Sequence, residues 1–341
     1  MKVILTVSSP PHIYGKDTTS RRMRDVLIAL LPTCVLAIAV YGNSALATMA
    51  IAVVSAVSAE YMFQKVMGKK ITTADRSAVI TGLLLAFNLP PYVPFWVPVI
   101  GSVFAIVVVK QLFGGLGQNF LNPALAARAF LLASFPVHMT GWTFPDVPYY
   151  DALSSATYLA ILECPGFCPE ASDFMALLFG KKGGTIGEVS ALAIIAGGLY
   201  LIFRRVINWR IPVFYIGSFV LFAFVFGRDA FFSGLFLDTV PTSQVFIRLM
   251  FEVLAGGLLL GAFFMATDYA TSPITPKGKV IMGIGCGFLT VLIRFYGGYP
   301  EGVSYAILIM NLLVPVIDKY VRPTIYGRKK ARVETKPGGK A

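Results

Sequence analysis

The chain has 341 residues, 56% of them hydrophobic and only 13% charged. A soluble globular domain carries about 25% charged residues; this deficit, with apolar runs near the ~20 residues that cross a bilayer, predicts an all-α integral membrane protein. The formal charge of +12 does not point to nucleic acid, because the basic residues sit in short loops and at the two ends.

In chain order, the predicted spans cover residues 26–41, 45–66, 78–89, 95–113 and 121–135, then 189–203, 212–226, 246–266, 280–296 and 303–321. That is about ten transmembrane helices. Several fall short of the ~20 residues of a straight crossing, which predicts broken helices. The first follows a polar start, Lys16 to Arg24, with no small-residue cleavage pattern behind it, so no secretory signal is expected.

Loop charge then predicts orientation. Lys16, Arg21, Arg22 and Arg24 precede the first span, and Lys65, Lys69, Lys70 and Arg76 follow the second. Arg204, Arg205 and Arg210, then Lys277 and Lys279, and finally Arg322, Arg328, Lys329, Lys330 and Arg332 fall on the same side if the spans alternate. By the positive-inside rule that side is the cytoplasm, with both termini. Asp229, Asp238 and Glu301 fall opposite, as does the 137–187 loop, which is acidic apart from Lys181 and Lys182.

The halves resemble each other. Gly82-Leu-Leu-Leu-Ala-Phe87, a Pro-containing turn, a span and Phe113-Gly-Gly115 recur as Gly257-Leu-Leu-Leu-Gly-Ala262, Ser272-Pro273, a span and Tyr296-Gly-Gly298. An odd number of spans per copy inverts the second copy in the membrane. The predicted organisation is one five-helix repeat over 1–136, an external loop over 137–187, an inverted repeat over 188–326 and a basic cytoplasmic tail over 327–341, lying against the inner leaflet. In such folds the interrupted helices meet near the midplane and build the site.

Gly114-Gly-Leu-Gly117 with Asn119, Asn122 and Pro123 is no dinucleotide fingerprint, since no soluble βαβ unit surrounds it. It reads as an unwound entry to the fifth span, whose backbone lines a cofactor or ion site or serves close helix packing. Thr267, Asp268 and Thr271 occupy the matching place in the second half, as cofactor or subunit contacts at a broken helix or as a capped turn. Arg128, Glu252 and Arg294 are charges within or near spans, where they are costly and are usually paired or functional. Glu252 is the first candidate for an ion-path carboxylate; Arg128 would hold a ligand phosphate or form an ion pair with a neighbouring protein.

Cys34 and Cys286 lie singly in apolar runs, as packing residues. Cys164 and Cys168 form a Cys-x3-Cys pair in the long loop, with no second pair or nearby histidine, which argues against zinc. Their spacing leaves a disulfide and two free thiols both open. His12 and His138 form no ligand cluster.

The loop also carries Asp151-Ala-Leu-Ser-Ser-Ala-Thr157. A threonine on a water-exposed loop can reach another enzyme's active site, though its hydroxyl needs an external base and metal to react. Ser154 and Ser155 would donate hydrogen bonds to a phosphodiester there, and Ala156 leaves room for its oxygens. Trp142, Phe144, Tyr149, Tyr150 and Tyr158 surround it, as an outer aromatic belt or as a stacking surface.

The opening Leu5-Thr-Val-Ser-Ser-Pro-Pro-His12, with Lys16-Asp-Thr-Thr19 and Asp25-Val-Leu-Ile-Ala-Leu30, resembles the D subunit of Rnf-type ion-translocating oxidoreductases. So do Phe113-Gly-Gly-Leu-Gly-Gln-Asn-Phe-Leu-Asn-Pro123, Gly187-Glu-Val-Ser190 and Met265-Ala-Thr-Asp-Tyr-Ala-Thr-Ser-Pro273. The likeness extends to the B subunit of the sodium-pumping NADH:quinone reductase, a close relative. In the family the loop motif reads Ser-Gly-Ala-Thr, and here Ser155 stands for the glycine.

The resemblance implies FMN joined by a phosphoester to Thr157, loaded by an exported flavin transferase. It implies electron transfer among flavins and iron–sulfur centres of the A, B, C, E and G partner proteins of the Rnf-type complex, coupled to Na⁺ or H⁺ export. By analogy with the quinone-linked relative, a non-covalent riboflavin is a second expected cofactor. Arg128, Asn122, Asp268 and Thr271 are expected to contact flavin. The short polar segment before the first span favours the ferredoxin-linked protein. The competing readings are the quinone-linked B-type protein, an inverted-repeat channel or transporter, and a scaffold without cofactor.

Overall fold

The computed structural model describes residues 18–141, 171–180, 184–226, 242–297 and 302–322. Among these the chain is helical, with no strand. The first half forms α1 (Thr19–Tyr41), α2 (Asn43–Val66), α3 (Ser77–Phe87), α4 (Trp96–Gln111) and α5 (Pro123–Ser134). A short helix, α6 (Ala171–Phe179), lies within the predicted external loop. The second half forms α7 (Ala191–Phe203), α8 (Arg210–Phe226), α9 (Thr242–Leu254), α10 (Leu258–Met265), α11 (Pro276–Tyr296) and α12 (Val303–Tyr320).

Each predicted span coincides with one of these helices or, for 246–266, with the pair α9 and α10. That span is broken, as its Gly256-Gly257 permits. Its arms, Ile247–Leu254 and Leu258–Met265, bend by 60°, and Gly256 turns the chain at φ +73°, which only glycine adopts without strain. Among the described residues four helices are long and apolar enough to cross a membrane, or five with the bent pair, and the remaining apolar helices are shorter. With 11 residues, α3 extends about 17 Å at 1.5 Å per residue. That is roughly half of a ~30 Å hydrocarbon core.

The packing scheme recurs in the two halves. α2 lies against α4 as α8 lies against α11, and α4 meets α5 as α11 meets α12. The halves join where α1 crosses α7 and where α5 crosses α12. Without a hydrophobic force between helices in lipid, small residues set the approach. A Cβ at Gly197 of α7 would collide with the Ala29 carbonyl of α1, and one at Gly287 of α11 would sit 2.7 Å from the Phe219 amide of α8. Gly197→Leu is therefore expected to separate α1 from α7 and to lower the yield of folded protein in detergent severalfold. Gly217→Leu is the matched control, since that glycine faces open space.

The half-helices meet between the halves. Asn88, just past α3, places its amide nitrogen 3.8 Å from the Met265 sulfur at the end of α10. The Leu89 carbonyl accepts a backbone hydrogen bond from Ile186 at 3.0 Å.

Basic segments from across the sequence gather at one end of the bundle. Arg76 Nη1 donates to the Ser20 carbonyl at 3.4 Å, and Lys69 Nζ to the Gln111 carbonyl at 3.4 Å. Arg204 pairs with Asp25 at 3.3 Å. The Arg22 guanidinium lies 5.5 Å from the Tyr269 ring centre, and the Tyr269 hydroxyl donates to the Val206 carbonyl. Alternating spans require this clustering.

Candidate functional site

At this basic end lies a cavity of about 540 Å³, within the range of ligand pockets. Its apolar walls come from Met23 and Val26 of α1, Ile80 and Leu84 of α3, Leu201 of α7, and Phe263 and Phe264 of α10. Its polar wall comes from Thr81, Asn119, Asn122, Thr267 and Asp268, with Arg22, Ser77 and Lys110. Two departures from α-helical winding reach it. The π-helical stretch Phe104–Gln111 carries Lys110, and the π-helical stretch Gly261–Met265 carries Phe263 and Phe264. Such windings are rare and concentrate at functional sites.

The unwound entry to α5 forms as the glycines predict. Gly114, Gly115 and Gly117 adopt φ of +118°, +97° and +84°. Asn122 then caps α5, accepting from the Ala124 and Leu125 amides at 3.1 and 3.4 Å, with Pro123 in the first turn. Its Nδ2 donates to the Met265 carbonyl at 3.1 Å, tying α5 to the end of α10. Asn311 of α12 closes this knot when its amide is turned so that both ends find partners: the oxygen then accepts from the Asn122 backbone N–H at 3.2 Å and the nitrogen donates to the Thr271 carbonyl at 3.1 Å. Asn122→Ala removes the cap and the tie; the cap alone is worth about 0.5–2 kcal/mol. A fall in the melting midpoint of the solubilised protein is the expected readout.

Asp268 lies half-buried on the cavity wall and accepts from Thr271 Oγ1 at 3.3 Å. Burial raises its carboxyl above the usual range, opposed by hydrogen bonds from Ala270, Thr271, Asn119 and Tyr269. Thr271 stands behind the wall as a support for Asp268 rather than on it.

Lys110 carries the cavity's buried charge. Its Nζ lies 2.7 Å from Glu60 Oε1 and 2.6 Å from Ser77 Oγ. Gln111 Nε2 donates to the same Glu60 oxygen at 2.7 Å. Both charged side chains are sealed from solvent, at 3% and 1% exposure, and Glu60 Oε2 has no hydrogen-bond partner among the described residues.

The chain matches the model of the NQR2, RnfD, RnfE family over residues 6–327. It belongs to that family. It is 50% identical over 334 residues to the D subunit of the Na⁺-translocating ferredoxin:NAD⁺ oxidoreductase complex of Acetobacterium woodii, covering 97% of this chain and 98% of that protein. It is 41% identical to the D subunit of the proton-translocating ferredoxin:NAD⁺ oxidoreductase complex of Clostridium ljungdahlii, covering 96% and 98%. It is 36% identical to the D subunit of the ion-translocating oxidoreductase complex of Halorhodospira halophila, covering 94% and 95%. The chain is thus a multi-pass membrane protein of this family.

Within the family's fold the predicted site residues separate. Asn122 and Asp268 share the cavity wall, with Thr271 behind them. Arg128 does not line the cavity. It is buried in α5, where Nη1 donates to Asn88 Oδ1 at 2.9 Å and to Ser304 Oγ at 3.1 Å, within electrostatic range of Glu188. Its contacts make it a tie between the halves. Glu252 stands apart at the α9–α10 bend, where its carbonyl accepts from Arg294 Nη1 at 2.9 Å; the Arg294 guanidinium lies 4.9 Å from the Phe219 ring centre. Ser154, Ser155 and Thr157 lie outside the described residues, as do Cys164, Cys168 and the loop aromatics.

Glu60, Lys110 and Glu188 were not singled out from the sequence. Two of them carried a readable signal, a charged residue inside an apolar run of crossing length, which in a membrane is functional by default.

Proposed function

We propose that this chain is the FMN-carrying subunit of an ion-translocating ferredoxin:NAD⁺ oxidoreductase. Family membership over nearly the whole chain, with a relative named as the D subunit at 50% identity, is the observation that carries it. In this reading the chain passes electrons between the flavin and iron–sulfur centres of the A, B, C, E and G partner proteins. That transfer is coupled to cation export. The relatives are named for Na⁺ in one case and for protons in another, so the ion is left as Na⁺ or H⁺.

FMN is attached through Thr157 by an exported flavin transferase. That requires the 137–187 loop to face outward and both termini to face the cytoplasm, as the positive-inside rule predicts. Each half then holds five helices, the second copy inverted.

The cavity at the basic end is the place for a second, non-covalent flavin, on the cytoplasmic side. Its residues fit such a group. Phe263, Phe264, Ile80 and Leu84 offer apolar faces to a flat ring, while Asn119, Asn122, Thr81 and Asp268 supply donors and acceptors for a polyol chain. A flavin supplies one- and two-electron chemistry, and the protein supplies binding, orientation and charge. Glu252, at the bend of a broken span beside Arg294, is the proposed ion-path carboxylate.

The decisive measurement is the mass of the tryptic peptide spanning residue 157, isolated from native membranes. A peptide heavier by one FMN phosphoester is expected. An unmodified peptide would overturn the assignment, and the channel or scaffold readings would take its place.

A further inference from the structure

We propose that Lys110 sets the reduction potential of the redox group held in the cavity, with Glu60 as its counter-charge. This role rests on the cavity being a flavin site and is one that the fold alone does not require.

The geometry is specific. An ammonium has three N–H groups. Glu60 Oε1 and Ser77 Oγ take two of them, at 2.7 and 2.6 Å. Lys110 is itself part of the cavity wall, so the third is left for an occupant. The cation cannot drift, because Gln111 Nε2 holds the same Glu60 oxygen at 2.7 Å. Adjacent residues Lys110 and Gln111 converge on one carboxylate because both lie in the π-helical stretch, whose wider turn separates neighbours by a smaller angle than an α-helix.

Glu60 is fully buried and does not line the cavity, so the positive end of the pair is nearer the occupant. Water is excluded around the pair, which leaves its field weakly screened. Arriving electrons place negative charge in the cavity, and a positive charge on its wall stabilises the reduced form. The other charged groups on the wall are Arg22 and Asp268, which stay unchanged in the test.

The sign pattern distinguishes tuning from support. Glu60→Gln leaves Lys110 uncompensated and should raise the potential. Lys110→Met leaves the Glu60 charge uncompensated and should lower it. The double variant removes both charges and should return close to the starting value. Each single change is expected to shift the oxidised-to-reduced ratio about tenfold, equivalent to about 59 mV for a one-electron step.

The test uses the purified complex. Non-covalent flavin is quantified after acid extraction, and the potential is that of the titration component lost on extraction. Opposite shifts for the single variants, read on whatever flavin each variant retains, support the proposal. No shift, or shifts of one sign, overturn it. If Lys110→Met does not assemble, the difference between Glu60→Gln and the double variant isolates the lysine, and a null difference overturns the proposal. Absence of extractable flavin from this chain in the unaltered complex defeats the cavity reading itself, and the tuning role with it.

Discussion

A Thr157→Ala chain is expected to reach the membrane at normal abundance and to give no flavin fluorescence on a denaturing gel. The unaltered chain should give a bright band. Detergent and heat strip any flavin held by packing and hydrogen bonds, so only a covalent link survives the gel. The link requires a hydroxyl, which alanine lacks and serine keeps, so Thr157→Ser should retain part of the signal. The sequence assigns residue 157 to the predicted external loop, and the described contacts that join the halves are made by other residues. Insertion should therefore be untouched. Full fluorescence in Thr157→Ala would sink the assignment and turn attention to Ser154 and Ser155, the other hydroxyls of the motif.

Most of the helical scaffold was legible because its signal is local. A run of apolar residues bounded by charge needs no tertiary knowledge, and the second span, read as 45–66, is the helix Asn43–Val66. The first helix starts at Thr19, earlier than the apolar run at residue 26, because Thr18 caps it by accepting from the Arg21 amide at 3.3 Å. A capping threonine weighs little in a hydropathy window. Broken helices were expected from short runs, yet the 246–266 segment read as one span, since a 60° bend at two glycines leaves its apolar length intact.

The site was legible in part, for a related reason. Asn122 stands beside Pro123 and shortly after three glycines, and Asp268 stands shortly before Ser272-Pro273, residue types that announce an unwound backbone. Arg128 gave no such clue about its partners. Asn88 and Ser304 lie 40 and 176 residues away, so the partners that tie it across the halves could not be read from its own neighbourhood. The Glu60–Lys110 pair was hidden in the same way, by a separation of 50 residues. π-helical winding leaves no periodic signature that a single sequence discloses.

That pair should also dominate the stability of the first half. Taking one partner from a buried ion pair leaves the other charge desolvated and uncompensated, at a cost of about 3–5 kcal/mol. Lys110→Met is expected to be the most damaging single change, since it strands the Glu60 carboxylate, one of whose oxygens already has no partner among the described residues. Glu60→Gln should be milder, because the amide oxygen still accepts from Lys110 and Gln111. Replacing both by neutral residues of similar size removes the desolvation cost along with the attraction and is often neutral. The double variant should therefore unfold later than Lys110→Met alone in a detergent melting series. A coupling of at least about 3 kcal/mol from the four proteins is the expected result, since a near-neutral double variant must recover the whole single loss. Additive losses would mean that the two side chains act separately, and that the lysine is held chiefly by Ser77.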